Sequence, residues 1–228
     1  MADLAHVADG SEKADAALLL DLLTPVAKSY PSEMGTLTTS AAVQILGGAG
    51  YTTDFPVEQF YREARIHPIH EGTTGIHGLD LLGRKVTMQG GRAVQLLMTE
   101  VQTALADARR HPELTGLADQ LTAALATLDT VTRHLLSLAP TDTEAFLADA
   151  TLYLELLGIV VVAWQWLRQA YVAQTRLPDA VGDDINFYHG KLMTARYFYE
   201  YELVKIHSLA RRLQSPDRVT VEMRSEWF

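Results

Sequence analysis

Nearly every long segment of this chain spaces its apolar residues three and four apart, at helical steps rather than in strand alternation. That spacing gathers apolar side chains on one stripe of a helix and scatters them over both faces of a strand. The expectation is therefore an all-α fold. Leucines stripe a first helix from about Ala14 to Tyr30, where Pro25 is expected to introduce a kink. A second, "TTSAAVQIL" from about Thr38 to Leu46, stops at the glycines of "GGAG". A short third, "PVEQFYREAR" from Pro56 to Arg65, opens on a proline, which the first turn of a helix tolerates.

From Thr74 to Arg110, Ile76, Leu79, Leu82, Val86, Val94 and Leu97 mark one apolar face, and "QGG" at 89–91 requires a bend or restart. Three further helices are expected. One, from Leu114, is ended by "AP"; one at 141–176 has Thr141 or Asp142 as N-cap and Glu144 in its first turn; one at 184–213 ends in a basic turn. The pattern predicts a helical bundle over 1–87 followed by a second helical bundle over 88–228. "RLPDAVGDD" and the tail "SPDRVTVEMRSEWF" read as loops or loosely docked ends.

Composition removes several function classes. At 228 residues the chain is long enough to bury a substantial core. Its net charge of −9, with no compensating basic patch, argues against nucleic acid. With no cysteine there is neither a disulfide nor a thiolate metal site. The run "LYLELLGIVVVAWQWL" at 152–167 is short for a membrane span and carries Glu155, so it reads as a buried core helix. The polar, acidic start "MADLAHVADGSEKAD" has no apolar signal core, and a cytoplasmic location is expected.

Chemistry concentrates in "HPIHEGTTGIHG", residues 67–78. His67 and His70, three apart, would share a helix face with Glu71 beside them, but Pro68 and the following glycines argue against a continuous helix. The zinc-protease pattern H-E-x-x-H is absent, since position 74 is threonine. No nucleophile elbow or local Ser/His/Asp set occurs, and "GGAG" follows a helix rather than a strand, so it is not a dinucleotide fingerprint. No metal is expected.

What remains is Glu71 as a general base. Gly72 removes the steric barrier to a close substrate, and Thr73 and Thr74 offer free N–H groups at a helix start, where an anion such as a pyrophosphate is favoured. Partial burial under Ile69 and Ile76 would tune the carboxylate for proton abstraction. The competing reading is that Glu71 merely caps the helix entry.

The order of three motifs adds to this. "QILGGAGY" at Gln44–Tyr51, "YREARI" at Tyr61–Ile66 and "IHEGT" at Ile69–Thr73 follow one another within residues 41–86. Together they resemble the C-terminal helical domain of the acyl-CoA dehydrogenases. The remainder, with "INFYHGKLMTARYFYEYEL" as a closing helix, is similar to a longer bacterial branch with an extra helical domain. The resemblance covers nearly the whole chain from about residue 13, but only the C-terminal part of a complete enzyme.

The resemblance implies FAD as cofactor and an acyl-CoA thioester as substrate. Glu71 matches the base that removes the α-proton while the β-hydride passes to the flavin, and its own N–H helps hold the thioester oxygen. Gly72 matches a position lining the acyl pocket. Thr73, Thr74 and Gly75 match positions touching the FAD adenylate and pyrophosphate, and Gln44, Gly47 and Gly48 a helix end that contacts FAD across a dimer interface. His70 stands where many members carry tyrosine, His77 where glutamine is usual, and Gly75 where some place a flavin-contacting glutamine. His67, His70 and His77 are then supports of the turn.

The implied enzyme is a homo- or hetero-oligomer in which a separate N-terminal partner supplies the flavin and substrate domains. The alternative is a truncated, non-redox relative serving as a structural or interaction protein. The aromatic-rich stretch at 187–203 is expected to be core of the second bundle rather than an interface.

Overall fold

The computed structural model describes residues 10–228, so the start of the acidic N-terminal segment lies outside the described residues. Ten helices are described: α1 (Gly10–Leu46), α2 (Val57–Ala64), α3 (Thr74–Gly83), α4 (Met88–Ala108), α5 (Thr115–Leu138), α6 (Thr143–Ala148), α7 (Ala150–Arg176), α8 (Asp183–Tyr197), α9 (Ile206–Leu213) and α10 (Val219–Glu222). Short 3-10 turns link several of them, and no strand occurs among the described residues. The fold is all-α.

The two helices expected at 14–30 and 38–46 are one helix. α1 runs through both Pro25 and Pro31. Proline has no N–H, so the carbonyl four residues earlier loses its helical donor. For Pro25 that carbonyl belongs to Asp21, and Lys85 Nζ, on the turn after α3, donates to it at 2.7 Å. The same ammonium lies 2.5 Å from Asp21 Oδ1 and 3.5 Å from Asp80 Oδ2. Lys85 is only 4% exposed, and its charge is matched by carboxylates, which is the condition for burying it. A lysine from 60 residues downstream thus repairs the proline lesion. The Pro31 lesion falls on Ala27, which is exposed, so water can satisfy that carbonyl.

α7 is the column of the fold. Its apolar run is buried around its circumference, with Leu156, Leu157, Ala163, Trp164 and Leu167 at most 3% exposed. α1, α3, α4, α5, α8 and α9 all pack on it. It is long and apolar enough to cross a membrane by length and composition, but 67% of its most apolar window is buried within the protein, as expected of a core helix. Glu155 is the exposed position of this run, and its carboxyl is raised, first by partial loss of solvent. Helices on both sides of residue 88 share one continuous core, in which Leu22 and Leu81 join Leu97, Leu157 and Leu167.

Two expected continuities are interrupted, and the bend expected at 89–91 is present. Gln89, Gly90 and Gly91 take positive φ angles and break the run from Thr74, with a separate turn at Lys85–Thr87 before α4. The helix expected at 141–176 breaks at Asp149, whose carboxylate is drawn 2.9 Å from Arg212 Nη2 on α9; Asp142 caps the first piece, accepting from Ala145 N at 3.0 Å. The helix expected at 184–213 widens at Phe198–Glu202 into a π-type turn, where the Tyr199 hydroxyl donates to the Ala163 carbonyl at 3.0 Å. That bond satisfies a phenol buried in the core.

The aromatic stretch expected to be core is divided. Phe198, Tyr199 and Leu203 are buried, whereas Phe187, Met193, Tyr197 and Tyr201 are exposed.

α3 is fixed by a close approach. A Cβ on Gly78 would lie 2.8 Å from the Ala150 carbonyl oxygen and 3.0 Å from Thr151 N, so only glycine lets the backbones of α3 and α7 meet here. Gly78→Ala is expected to lower unfolding stability by about 2 kcal/mol in denaturant titrations, because backbone rather than a flexible side chain must yield. Lys85→Met is expected to cost about 2 kcal/mol by leaving the Asp21 carbonyl unsatisfied. In a Pro25→Ala background, which restores the helical N–H, the same substitution should cost measurably less; equal costs would show that Lys85 does not serve that carbonyl.

Candidate active site

Glu71 sits on the turn between α2 and α3 with φ of 55°, and Gly72 follows at 91°. Two consecutive left-handed residues reverse the chain, and the first is not glycine, a conformation that costs about 1–2 kcal/mol. Neighbours must hold it. Lys28 Nζ, from α1, donates to the carbonyls of His67 at 2.7 Å and Gly72 at 2.8 Å, one on each side of Glu71. His77 Nε2 lies 3.1 Å from the Glu71 carbonyl oxygen, where it serves as the donor. Its ring fills the space a Cβ on Gly72 would occupy, with Nε2 2.9 Å from that position. Glycine at 72 is thus required both by its φ and by the imidazole.

The two other histidines face each other, His67 Nδ1 being 3.3 Å from His70 Nε2, with edge-on rings. His70 Nδ1 lies 3.8 Å from Glu71 Oε2. Among the described residues no set of three or more His, Asp or Glu converges as metal ligands.

Glu71 does not cap α3. Thr73 is the N-cap, in extended conformation, and its hydroxyl accepts from Ile76 N at 3.4 Å. Thr74 turns the other way, its hydroxyl donating to Glu33 of α1 at 2.5 Å. The main-chain N–H groups of residues 71–75 donate to nothing among the described residues. Five successive free donors, the last of them at a helix start, are available to an anion or a developing oxyanion.

Ile69 and Ile76 were expected to bury the Glu71 carboxylate, and they do not. Both are exposed, and the Glu71 side chain is 82% accessible. The reason is geometric: the chain reverses at Glu71 with a positive φ, so its neighbours in sequence are not folded over the carboxylate. Ile66, Ile69 and Ile76, near it in sequence, are exposed, as are the polar His67 and His70.

Gln44 lies in the last turn of α1 and Gly47 and Gly48 open the 3-10 turn Gly47–Tyr51 that follows it, and all three are exposed. Glu33, which holds Thr74, is eleven residues earlier on the same helix, about 16 Å away at 1.5 Å per residue. The fold therefore brings Glu71, Gly72, Thr73, Thr74 and Gly75 together and keeps the Gln44 end apart. Ile45 (83% exposed) and Tyr51 (85%) flank that second cluster.

Sequence reasoning missed Lys28 and Glu33. The available signal was a pair of charged residues on the otherwise apolar side of the first helix, with Lys28 between the buried Val26 and Ser29. Lys28→Met is expected to lower stability by about 1–2 kcal/mol. It should also speed hydrogen exchange at the Ile69 and His70 amides, which bond to the Ile66 carbonyl, by about tenfold. Unchanged exchange there would show that Lys28 is not the clamp.

Comparison with known proteins places this site in a family. A family model described as acyl-CoA dehydrogenase, C-terminal domain, matches residues 4–87. A second, described as acetyl-CoA dehydrogenase C-terminal like, matches residues 97–224. The chain is 36% identical over 208 residues to a 3-methylmercaptopropionyl-CoA dehydrogenase of Ruegeria pomeroyi, covering 89% of this chain and 34% of that protein. It is 29% identical over 234 residues to a broad-specificity linear acyl-CoA dehydrogenase of Mycobacterium tuberculosis, covering 100% of this chain and 38% of that one. The chain thus spans about a third of the length of these relatives. An exposed glutamate on a clamped turn, set before a run of free N–H groups and within two matching family regions, leads to one conclusion: the chain belongs to the acyl-CoA dehydrogenases and corresponds to their C-terminal helical region.

Proposed function

We propose that Glu71 is the base that removes the α-proton of an acyl-CoA thioester in an FAD-dependent α,β-dehydrogenation. The observation that carries this reading is the Glu71 carboxylate, free of any cap or close ion pair, beside its own unengaged N–H. In this reading the carboxylate takes the α-proton, and the Glu71 N–H donates to the thioester oxygen as enolate charge develops. Gly72, without a side chain, lets the acyl group pass close to the turn. The N–H groups of Thr73, Thr74 and Gly75 suit a pyrophosphate, so the residues present fit FAD. When bound, FAD supplies the acceptor for the β-hydrogen.

The exposure of the Glu71 side chain supports a second element of the reading. General-base catalysis on a carbon acid needs a site from which water is excluded, and the described residues leave this one open. A separate N-terminal partner supplies the flavin- and substrate-binding domains that cover it, and homo- or hetero-oligomers form through that face. The exposed Gln44, Gly47 and Gly48, flanked by Ile45 and Tyr51, contact cofactor held by another subunit. The named substrates of the relatives are acyl-CoA thioesters, the class proposed here.

The test is acyl-CoA-dependent dye reduction by this chain combined with candidate N-terminal acyl-CoA dehydrogenase domains. Glu71→Gln, which keeps the shape of the turn and removes the base, should lower turnover by about 10²- to 10⁴-fold with flavin content unchanged. Full activity in that variant would remove Glu71 from the chemistry. Absence of flavin binding and turnover under every pairing would favour a structural role for the helical fold.

A further inference from the structure

Two histidines stand next to the Glu71 carboxylate, and the backbone places them there. Ile69 N and His70 N both donate to the Ile66 carbonyl, at 3.0 and 3.1 Å, and His67 N donates to the Ala64 carbonyl at 3.1 Å. The chain thus makes one helix-like turn after α2, and residues three apart in such a turn share a face. Pro68 and the glycines do prevent a continuous helix, yet this single turn is enough to set the His67 ring against the His70 ring, edge to face.

The two nitrogens of His70 face different partners. Nε2 lies 3.3 Å from His67 Nδ1, and Nδ1 lies 3.8 Å from Glu71 Oε2. The second distance is longer than a hydrogen bond, and catalytic contacts of this kind tighten when substrate is bound. A neutral imidazole carries one donor and one acceptor nitrogen, so it can take a proton on one side and release one from the other. His67 is exposed, so the far end of the pair reaches water. Lys28 holds the carbonyls of His67 and Gly72, at 2.7 and 2.8 Å, and so fixes the backbone on both sides of the set. His77 lies outside it, its Nε2 being engaged by the Glu71 carbonyl oxygen.

We propose that His70 and His67 form a proton relay that discharges Glu71 to solvent, an inference that rests on Glu71 acting as the base. That role loads one proton onto the carboxylate in each turnover, and a covered site excludes the water that would otherwise remove it. In the discharging step the Glu71 O–H gives its proton to His70 Nδ1. The proton on His70 Nε2 passes to His67 Nδ1, and the proton on His67 Nε2 leaves to water. One O–H bond breaks at Glu71, each ring gains one N–H and loses another, and one proton reaches solvent with no electron transferred. Both rings end in the opposite tautomer and return by exchange with water, since both are exposed. The histidines thus act on release of the proton rather than on its removal from the substrate.

Two measurements test the relay. In the complex with N-terminal acyl-CoA dehydrogenase domains, kept anaerobic and without an electron acceptor, the dehydrogenation reverses. In heavy water, deuterium then enters the α-carbon of the acyl-CoA only after the proton on Glu71 has exchanged with solvent. The ratio of α-deuteration to flavin reduction should fall about tenfold or more in His70→Phe and in His67→Phe. It should recover when imidazole is added to His70→Ala, and stay unchanged in Glu113→Gln, on the turn between α4 and α5. On the chain alone, Glu71→Gln should move the ring nitrogen resonances of His70 and of His67, and the His67 response should vanish in a His70→Phe background. An unchanged ratio in both phenylalanine variants, or no His67 response to Glu71→Gln, would overturn the relay. Flavin reduction that survives Glu71→Gln would instead overturn the assignment of the base itself.

Discussion

The contact between Gly78 on α3 and the Ala150 carbonyl at the start of α7 sets the positions of the other parts. α7 is the helix on which the core is built, so an element seated backbone-to-backbone on it is as rigid as the core itself. α3 is that element, and its first residue follows the Glu71 turn directly. The turn thus inherits a fixed position from the core while remaining on the surface. Lys28 then fixes its shape from the opposite side, by binding carbonyls before and after Glu71. One contact places the turn, and two charge-assisted hydrogen bonds hold its left-handed conformation.

Polar groups are concentrated where the helices are imperfect. Lys85 occupies the gap that Pro25 makes in α1, and Arg212 meets the break at Asp149. Each break frees a carbonyl or a carboxylate, and a long basic side chain from a distant segment reaches it. These bonds tie residues more than sixty apart, one within the region before residue 88 and one within the region after it, while the shared apolar core on α7 joins the two regions. The extra helices are therefore part of what positions α3, through α7, rather than an appendage to it.

The extent to which the sequence was legible follows the range of the interactions. Helical periodicity reports a local property, one side chain against the next turn, and the all-α fold and most helix positions were readable from it. The prolines misled because their cost is local but its repair is not: nothing near Pro25 announces that Lys85 will serve the Asp21 carbonyl. At the site, "IHEGT" marked the turn because the chain reversal and the helix start are encoded in adjacent residues, with Thr73 as cap. The expected burial of Glu71 by Ile69 and Ile76 failed for the opposite reason. Apolar neighbours in sequence bury a group only if the backbone folds them over it, and the positive φ at Glu71 turns it away.

By itself, then, the sequence determined that this chain is helical, that its most apolar run is a core helix, and that Glu71 stands at the entry of a helix beside two threonines and two glycines. The tertiary structure alone decided that α1 is unbroken, that Lys28 and Glu33 hold the turn, and that the carboxylate is left exposed. The division has a physical cause. Helix formation, capping and turn geometry depend on residues within about four positions of one another. The orientation of a side chain and the satisfaction of a buried polar group depend on which distant segment arrives beside it, and that is settled only when the core closes.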